Sequence, residues 1–357
     1  MEKVLLTSIC RPKQWKTIST KDLLESGYPV YGANGKIGFY NSYTHEHPTV
    51  LITCRGATCG SINISDPKSY VNGNAMALDN LSEEVDLYYL KYYLEYRKLD
   101  DVISGSAQPQ ITGKGLSKVK IPLPPLDQQK KIAAILDAAD AYRQKTKALI
   151  EKYDELTQSL FLDMFGDETG SLTELGKIIK TVGGGTPSKD NEQYWNGNIP
   201  WASVKDLKSD RLNKTQDFIT QAGVDNSAAR VIPNGSLIVA TRMAVGRAAI
   251  CEMDVAINQD LKAIQLKGEI NITYLLYLFK SKENYFDSVS SGATVKGIKI
   301  EHITKLKVNL PEIDLQNKFA GSVQAIEAQK AQAQASLAQA EDLFNSLLQR
   351  AFKGELV

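Results

Sequence analysis

Nine polar side chains in this 357-residue sequence sit where hydrogen-bonding chemistry could be done: Arg55, Gln108, Gln110 and Lys114 in the first half, and Lys205, Arg242, Arg247, Lys296 and Lys299 in the second. Each lies in or beside a glycine-rich turn or the end of an apolar run. Guanidinium and carboxamide groups pair with base edges two bonds at a time, and ammonium groups suit phosphates, so the chemistry on offer is noncovalent reading of nucleic acid. Taken singly, each is equally a solvated surface charge. Arg55 and Arg242 stand apart because the same strand end carries arginine in both halves, which a repeated structural ion pair would also explain.

Covalent chemistry finds little support. A methyltransferase acting on adenine needs Asn/Asp-Pro-Pro-Tyr/Phe beside the flipped base and a glycine-rich turn for its cofactor. The only Pro-Pro is Pro124-Pro125, flanked by leucines, and no G-x-G-x-x-G occurs. Gly183-Gly184-Gly185-Thr186 lacks the Gly-Lys-Ser/Thr of a phosphate cradle. Nuclease chemistry would need clustered carboxylates around a metal, whereas the acidic residues fall mostly on helices or are scattered in loops. His45, His47, Cys54 and Cys59 match no common metal site, and small buried thiols are the plainer reading. The expectation is a chain with no catalytic residues, no metal and no cofactor of its own.

Lys plus Arg (42) nearly cancel Asp plus Glu (41), so nucleic-acid binding would have to rest on local patches. No apolar run reaches membrane-spanning length, and the N-terminus lacks a secretory pattern. With four irregularly spaced cysteines, this composition predicts a cytoplasmic protein with reduced thiols.

Two long helices must position these loops. From Asp127 to Phe165, the residues Ile132, Ile135, Ala139, Tyr142, Thr146, Leu149, Tyr153, Leu156 and Leu160 alternate in steps of three and four, the seam of a coiled coil. A matching seam runs from Phe319 through Val323, Ile326, Lys330, Ala333, Leu337, Ala340, Phe344 and Leu347 to Ala351. Asp127 and Asp314, each following proline, are expected to cap the two starts; Gly166 and Gly354 mark the two ends. Such a helix is about 55 Å long at about 1.5 Å per residue, which suits a spacer.

The chain is also an internal repeat. Gly105, Pro124 and Asp127 recur 187 positions later as Gly292, Pro311 and Asp314, and Gly60 and Asn72 recur 186 later as Gly246 and Asn258. Each half runs from an apolar strand ending in arginine, through an Asn-led turn and strand, to a tyrosine-rich helix (Leu87 to Tyr96, Ile272 to Phe279), a glycine loop and a strand entering the long helix. The fold class expected is α+β: two similar globular domains of twisted sheet with short helices, at 1–126 and 171–313, separated by long helices at 127–166 and 314–357 that pair as an antiparallel coiled coil.

With its domain–helix–domain–helix order, the chain resembles the specificity subunit of type I restriction-modification systems over essentially its whole length. The resemblance is carried by Ile121-Pro122-Leu123-Pro124-Pro125-Leu126-Asp127-Gln128-Gln129, its weaker copy Leu310-Pro311-Glu312-Ile313-Asp314-Leu315-Gln316, and Gly184-Gly185-Thr186-Pro187-Ser188 followed by Tyr194-Trp195 and Gly197-Asn198-Ile199-Pro200-Trp201. The first domain departs from it, with Tyr28-Pro29-Val30-Tyr31-Gly32 where Ile-Pro-Trp is expected. The resemblance implies a non-catalytic subunit whose two target-recognition domains each read half of a bipartite double-stranded DNA site. It also implies a helix pair that sets the spacing and docks two methyltransferase subunits, and through them restriction (nuclease and translocase) subunits. S-adenosylmethionine would then sit on the partner. Tyr142, Leu149, Tyr153 and Leu156 are the expected partner-binding residues. The alternatives are a methyltransferase carrying its own recognition domain and a coiled-coil scaffold that binds no DNA. Trp195 and Trp201 are expected to anchor loops rather than stack on bases.

Overall fold

The continuous apolar run Val50–Thr53 is buried along its whole length, and its counterpart Leu237–Ala240 is equally buried, as strands central to their sheets must be. A computed structural model of the protein describes residues 3–33, 35–105, 108–166, 172–292 and 294–356. Ser171, the expected start of the second domain, and Ser106, Ala107 and Ala293 of the glycine loops lie outside these. Two compact units emerge, Met1–Ala148 with Gln334–Val357, and Leu149–Ala333.

In the first unit, Val50–Thr53 lies between Ala75–Asp79 and Ile62–Ile64, and Arg11–Gln14 borders Ala75–Asp79, all antiparallel. A smaller sheet sets Tyr28–Gly32 between Gly35–Tyr40 and, in parallel, Tyr70–Val71. The second unit repeats both sheets and adds an edge strand to each. Its larger sheet runs Ile179–Gly183, Leu261–Leu266, Leu237–Ala240, Ala248–Cys251, Arg211–Leu212; its smaller sheet runs Asp217–Ile219, Trp195–Ala202, Val255–Ile257, Arg230–Ile232. Trp195–Ala202 pairs in parallel with Val255–Ile257 just as Tyr28–Gly32 pairs with Tyr70–Val71, so the Tyr-Pro-Val stretch does occupy the place of Ile-Pro-Trp.

The tyrosine-rich helices, Leu87–Arg97 and Ile272–Ser281, start on Asp86 and Asn271, whose side chains accept first-turn amides. Each is then tied to the entry of a long helix in the same way. Gln129, fully buried, accepts from the Asp86 amide at 2.9 Å and donates to the Glu84 and Pro124 carbonyls; Gln316 accepts from the Asn271 amide at 2.9 Å and donates to the Pro311 carbonyl. The hydroxyls of Tyr89 and Tyr274 donate to the carbonyls of Pro122 and Asn309 at 2.8 and 2.6 Å. Both glutamines belong to the motifs that open the long helices, but a buried amide looks like any helix-surface glutamine until its partners are placed.

The long helices span Leu126–Phe165 and Ile313–Lys353. Each begins one residue before the aspartate expected to cap it. Asp127 and Asp314 therefore sit inside the first turn, where their charge favours the helix N-terminus, and the first amides bond the Pro125 and Glu312 carbonyls instead. Gly354 closes the second helix in the left-handed conformation at φ +80°, as a glycine stop should.

The second helix presents the expected seam, but the first needs correcting. Ile135, Tyr142, Leu149 and Leu156 are 37, 54, 43 and 50% exposed. Leu136, Arg143, Ile150 and Thr157 take their places as alternate seam positions, with Leu136 and Thr157 buried. Both stripes share Ile132, Ala139, Thr146 and Tyr153, and the rejected one is the more apolar. A polar seam is tolerated because Arg143 lies 4.3 Å over the Phe344 ring while paired to Asp140, and Thr146 and Thr157 return their hydroxyls to the Tyr142 and Tyr153 carbonyls.

Within each unit the start of one long helix packs against the end of the other, so the pairing is antiparallel. In the first, Ile132, Ala133 and Leu136 meet Phe344 and Ala351 under Tyr89 and Tyr92, and Phe352 packs among Tyr89, Tyr93 and Tyr96. In the second, Phe161 and Phe165 meet Phe319 and Val323 under Tyr274. Among the described residues no helix is long and apolar enough to cross a membrane.

Candidate nucleic-acid interface

The arginine at the end of each central strand enters a two-residue bridge with the glycine loop. Arg55 bridges Gln110 and Arg242 bridges Gly297, and each of these partners lies 187 positions from its counterpart. The surrounding bonds repeat too: Ile111 and Ile298 donate to the Cys54 and Thr241 carbonyls at 3.0 and 2.9 Å, and Gly60 and Gly246 close the turn onto Thr53 and Ala240. A loop cross-linked at both ends to a sheet holds its side chains still, which sequence readout requires.

In the first unit this places Arg55, Gln108 and Gln110 around one concavity of about 690 Å³, with Gly56, Ala57 and Pro109 completing its wall. Lys114, exposed on the short helix Gly113–Leu116 that follows, does not line it. Two glutamines and an arginine thus share one lining with Gly56, Ala57 and Pro109, side chains able to exchange paired hydrogen bonds with a base edge.

In the second unit a cavity of about 540 Å³ is lined by Lys189, Trp195, Trp201, Lys205, Asp217, Met243, Asn258 and Asp260. Arg242 stands beside it, 53% exposed and 3.3 Å from the Asp260 carboxylate, which also accepts from the Asn258 amide. Lys205 reaches Asp217 at 2.7 Å, and that carboxylate holds the ammonium above the usual lysine range. Lys296 pairs with Asp287, Arg247 donates to the Leu207 carbonyl, and Lys299 is exposed where the short helix Ile300–Thr304 begins. None of these three lines the cavity. Solvated ion pairs of this kind contribute little to stability, so a phosphate can replace the carboxylate at small cost.

Of the nine candidate side chains only Lys205 lines this cavity; its other lining residues come from segments that the sequence does not mark for binding. Lys189 and Met243 carry no sequence signal, and the tryptophans are expected to anchor loops. Both tryptophans do anchor: their indoles meet edge to face at 5.2 Å and donate to the Ser188 and Gly185 carbonyls. The glycine run before them is a packing device. A side chain on Gly184 would collide with the Ile257 carbonyl, whose oxygen accepts from the Gly185 amide.

His45 bonds Asp79 at 2.9 Å and Thr44, and Cys54 accepts from Gln14, so both are committed to the fold. Among the described residues no group of His, Cys, Asp or Glu is arranged to hold a metal. Along the first long helix, the outward stripe of Tyr142, Leu149 and Leu156 is apolar and exposed, while Tyr153, half-buried, lies on the seam.

The model of the type I restriction modification DNA specificity domain matches residues 1–153 and again 167–340. The chain belongs to this family. Individual specificity-subunit relatives agree. A type I restriction enzyme specificity subunit from Escherichia coli is 28% identical over 226 residues, covering 57% of this chain and 54% of the relative. The MjaIX specificity subunit from Methanocaldococcus jannaschii is 30% identical over 179 residues, 45% of this chain and 41% of its own. A putative type I specificity subunit from Haemophilus influenzae is 22% identical over 332 residues, 87% and 83% of the two chains. The match thus spans about half the length of the first two relatives. Among solved structures, the type I restriction-modification S subunit from M. genitalium superposes with a TM-score of 0.61 at 16% identity, over 98% of this chain and 95% of that one. A second, described as the structural basis of complex assembly and conformational transition of the type I R-M system, gives 0.60 at 16% identity over 99% and 98%. These likenesses establish the specificity-subunit fold.

Proposed function

We propose that the chain is the non-catalytic DNA-recognition subunit of a type I restriction-modification complex, its domains at 1–126 and 171–313 each reading one half of a bipartite target. The observation that carries this reading is the doubled loop: an arginine at the end of a buried strand, bridged to a glycine loop beside a polar concavity, built once in each unit. A scaffold that bound no DNA would have no use for two variant copies of such a site. Arg55, Gln108 and Gln110, and Arg242 and Lys205, are the side chains placed for base or phosphate contact, with Lys114, Arg247, Lys296 and Lys299 on the surrounding surface.

The exposed Tyr142, Leu149 and Leu156, with Tyr153 at their margin, form the docking stripe for methyltransferase subunits, of which two are expected. Those subunits bring S-adenosylmethionine, the transfer chemistry and the link to restriction subunits, and the complex works in the cytoplasm. Sequencing methylated positions in DNA from cells that express the complete complex tests the reading. Two defined half-sites around an unspecified spacer are expected, with binding that weakens steeply as salt rises. Methyl transfer by the purified chain alone would overturn it.

A further inference from the structure

Met243 follows Arg242 at the tip of the second unit's loop and holds φ at +66°, in the left-handed region that side chains avoid. Among the described residues the other non-glycine residues there are two lysines and two asparagines, and asparagine is at home in this region. Methionine has no side-chain bond that would favour it. The conformation is enforced by the fold: the Met243 amide donates to the Lys296 carbonyl at 2.9 Å, and Thr241 is bonded on one side to Asp260 and on the other to Ile298. Met243 is 65% exposed and lines the cavity, where it joins Trp195, Trp201 and Val204 as the apolar part of a wall that also holds Lys205 and Asp260.

The first unit shows what the position needs for folding alone. Its counterpart, 187 positions earlier, is Gly56, at φ +94° and with open space where a side chain would begin. Glycine satisfies this backbone without strain, so the methionine brings a cost and an exposed apolar surface that the fold does not require.

Building on the recognition reading above, we infer that Met243 is a specificity-determining residue of the second unit, whose thioether side chain packs on the C5 methyl of a thymine next to the base or phosphate met by Arg242. That methyl is the one sizeable apolar group that a base pair displays in the major groove. Where Gly56 stands, the first unit lacks this contact and reads the corresponding position through Arg55 and its amides.

The test uses the full chain in complex with its methyltransferase subunits. Duplexes carry the methylated genomic motif, with each thymine in both half-sites replaced singly by deoxyuridine. At one position the replacement should weaken binding by the wild-type complex about three- to fivefold, the worth of one buried methyl. M243G should lose that discrimination while M243L keeps it, and the two-half-site motif should otherwise persist. Melting should show M243G at least as stable as the wild type, since glycine relieves the backbone, so a change in binding would not reflect misfolding. If no thymine shows a methyl effect that depends on Met243, the inference fails while bipartite recognition stands; so would DNA bending by the side chain without thymine discrimination. A wild-type complex that selects no sequence would sink both readings.

Discussion

Arg242 and Gln316 illustrate two ways a single polar side chain serves this molecule. Arg242 is held at the cavity edge by Asp260 without being buried, so it remains available to a ligand. R242A should weaken DNA binding by about 1–3 kcal/mol at one base position if the guanidinium reads a guanine, and evenly across sequences, with a shallower salt slope, if it touches phosphate. Competition binding against single-base variants separates these outcomes. Gln316 and Gln129 act on the fold instead, each satisfying a domain-helix amide and a proline carbonyl at once. Q129L or Q316L should cost about 1–3 kcal/mol by leaving these groups unmatched. That corresponds to a drop of about 2–4 °C in Tm per kcal/mol in a domain of this size, read by calorimetry. The thiols of Cys10 and Cys251, pushed up to about 12 by burial, stay protonated at neutral pH.

At the level of elements, the first long helix decides most. Its heptads offered two stripes that share every second position, and hydropathy favoured Ile135, Tyr142, Leu149 and Leu156. The fold turned that stripe outward. The exposed apolar line at seven-residue spacing, beside a seam containing Arg143 and two threonines, is the surface proposed above for docking. Replacing Tyr142, Leu149 and Leu156 together by serine should leave the chain folded, because none of them packs in the seam. The same change should weaken association with methyltransferase subunits by an order of magnitude or more, as loss of about 1.5 kcal/mol or more per buried side chain implies. Size-exclusion chromatography with mass measurement would show it, and an unchanged complex would count against this docking surface.

Across the whole chain, each compact unit joins one globular domain to the start of one long helix and the end of the other. Phe352 completes the first unit and Phe165 the second, residues 187 apart in the repeat. Each half of the duplication therefore lends the other its final turns. Recognition should nevertheless divide by domain, since each cavity is built within a single unit. Exchanging residues 1–126 for the matching segment of a relative should change one half-site in the methylated motif and spare the other. A change in both would argue against independent readout.

The sequence by itself determined the duplication, the order of domains and long helices, the buried central strands and the strand-end arginines, because offsets, apolar runs and proline or glycine boundaries are local and survive without coordinates. It also located the second helix seam, where alanine and aromatic residues leave no rival stripe. Tertiary structure decided the rest. Which stripe of the first helix faces inward depends on what the opposite helix can accommodate: Phe344 accepts the stem and charge of Arg143, and Phe319 packs against Phe161. The composition of the second cavity was equally out of reach, since Lys189, Trp195, Met243 and Asp260 come from separate segments that only the folded chain brings together. Gln129 and Gln316 remained ordinary helix residues until the fold buried them, because the sign of an amide's contribution depends on the partners that replace water.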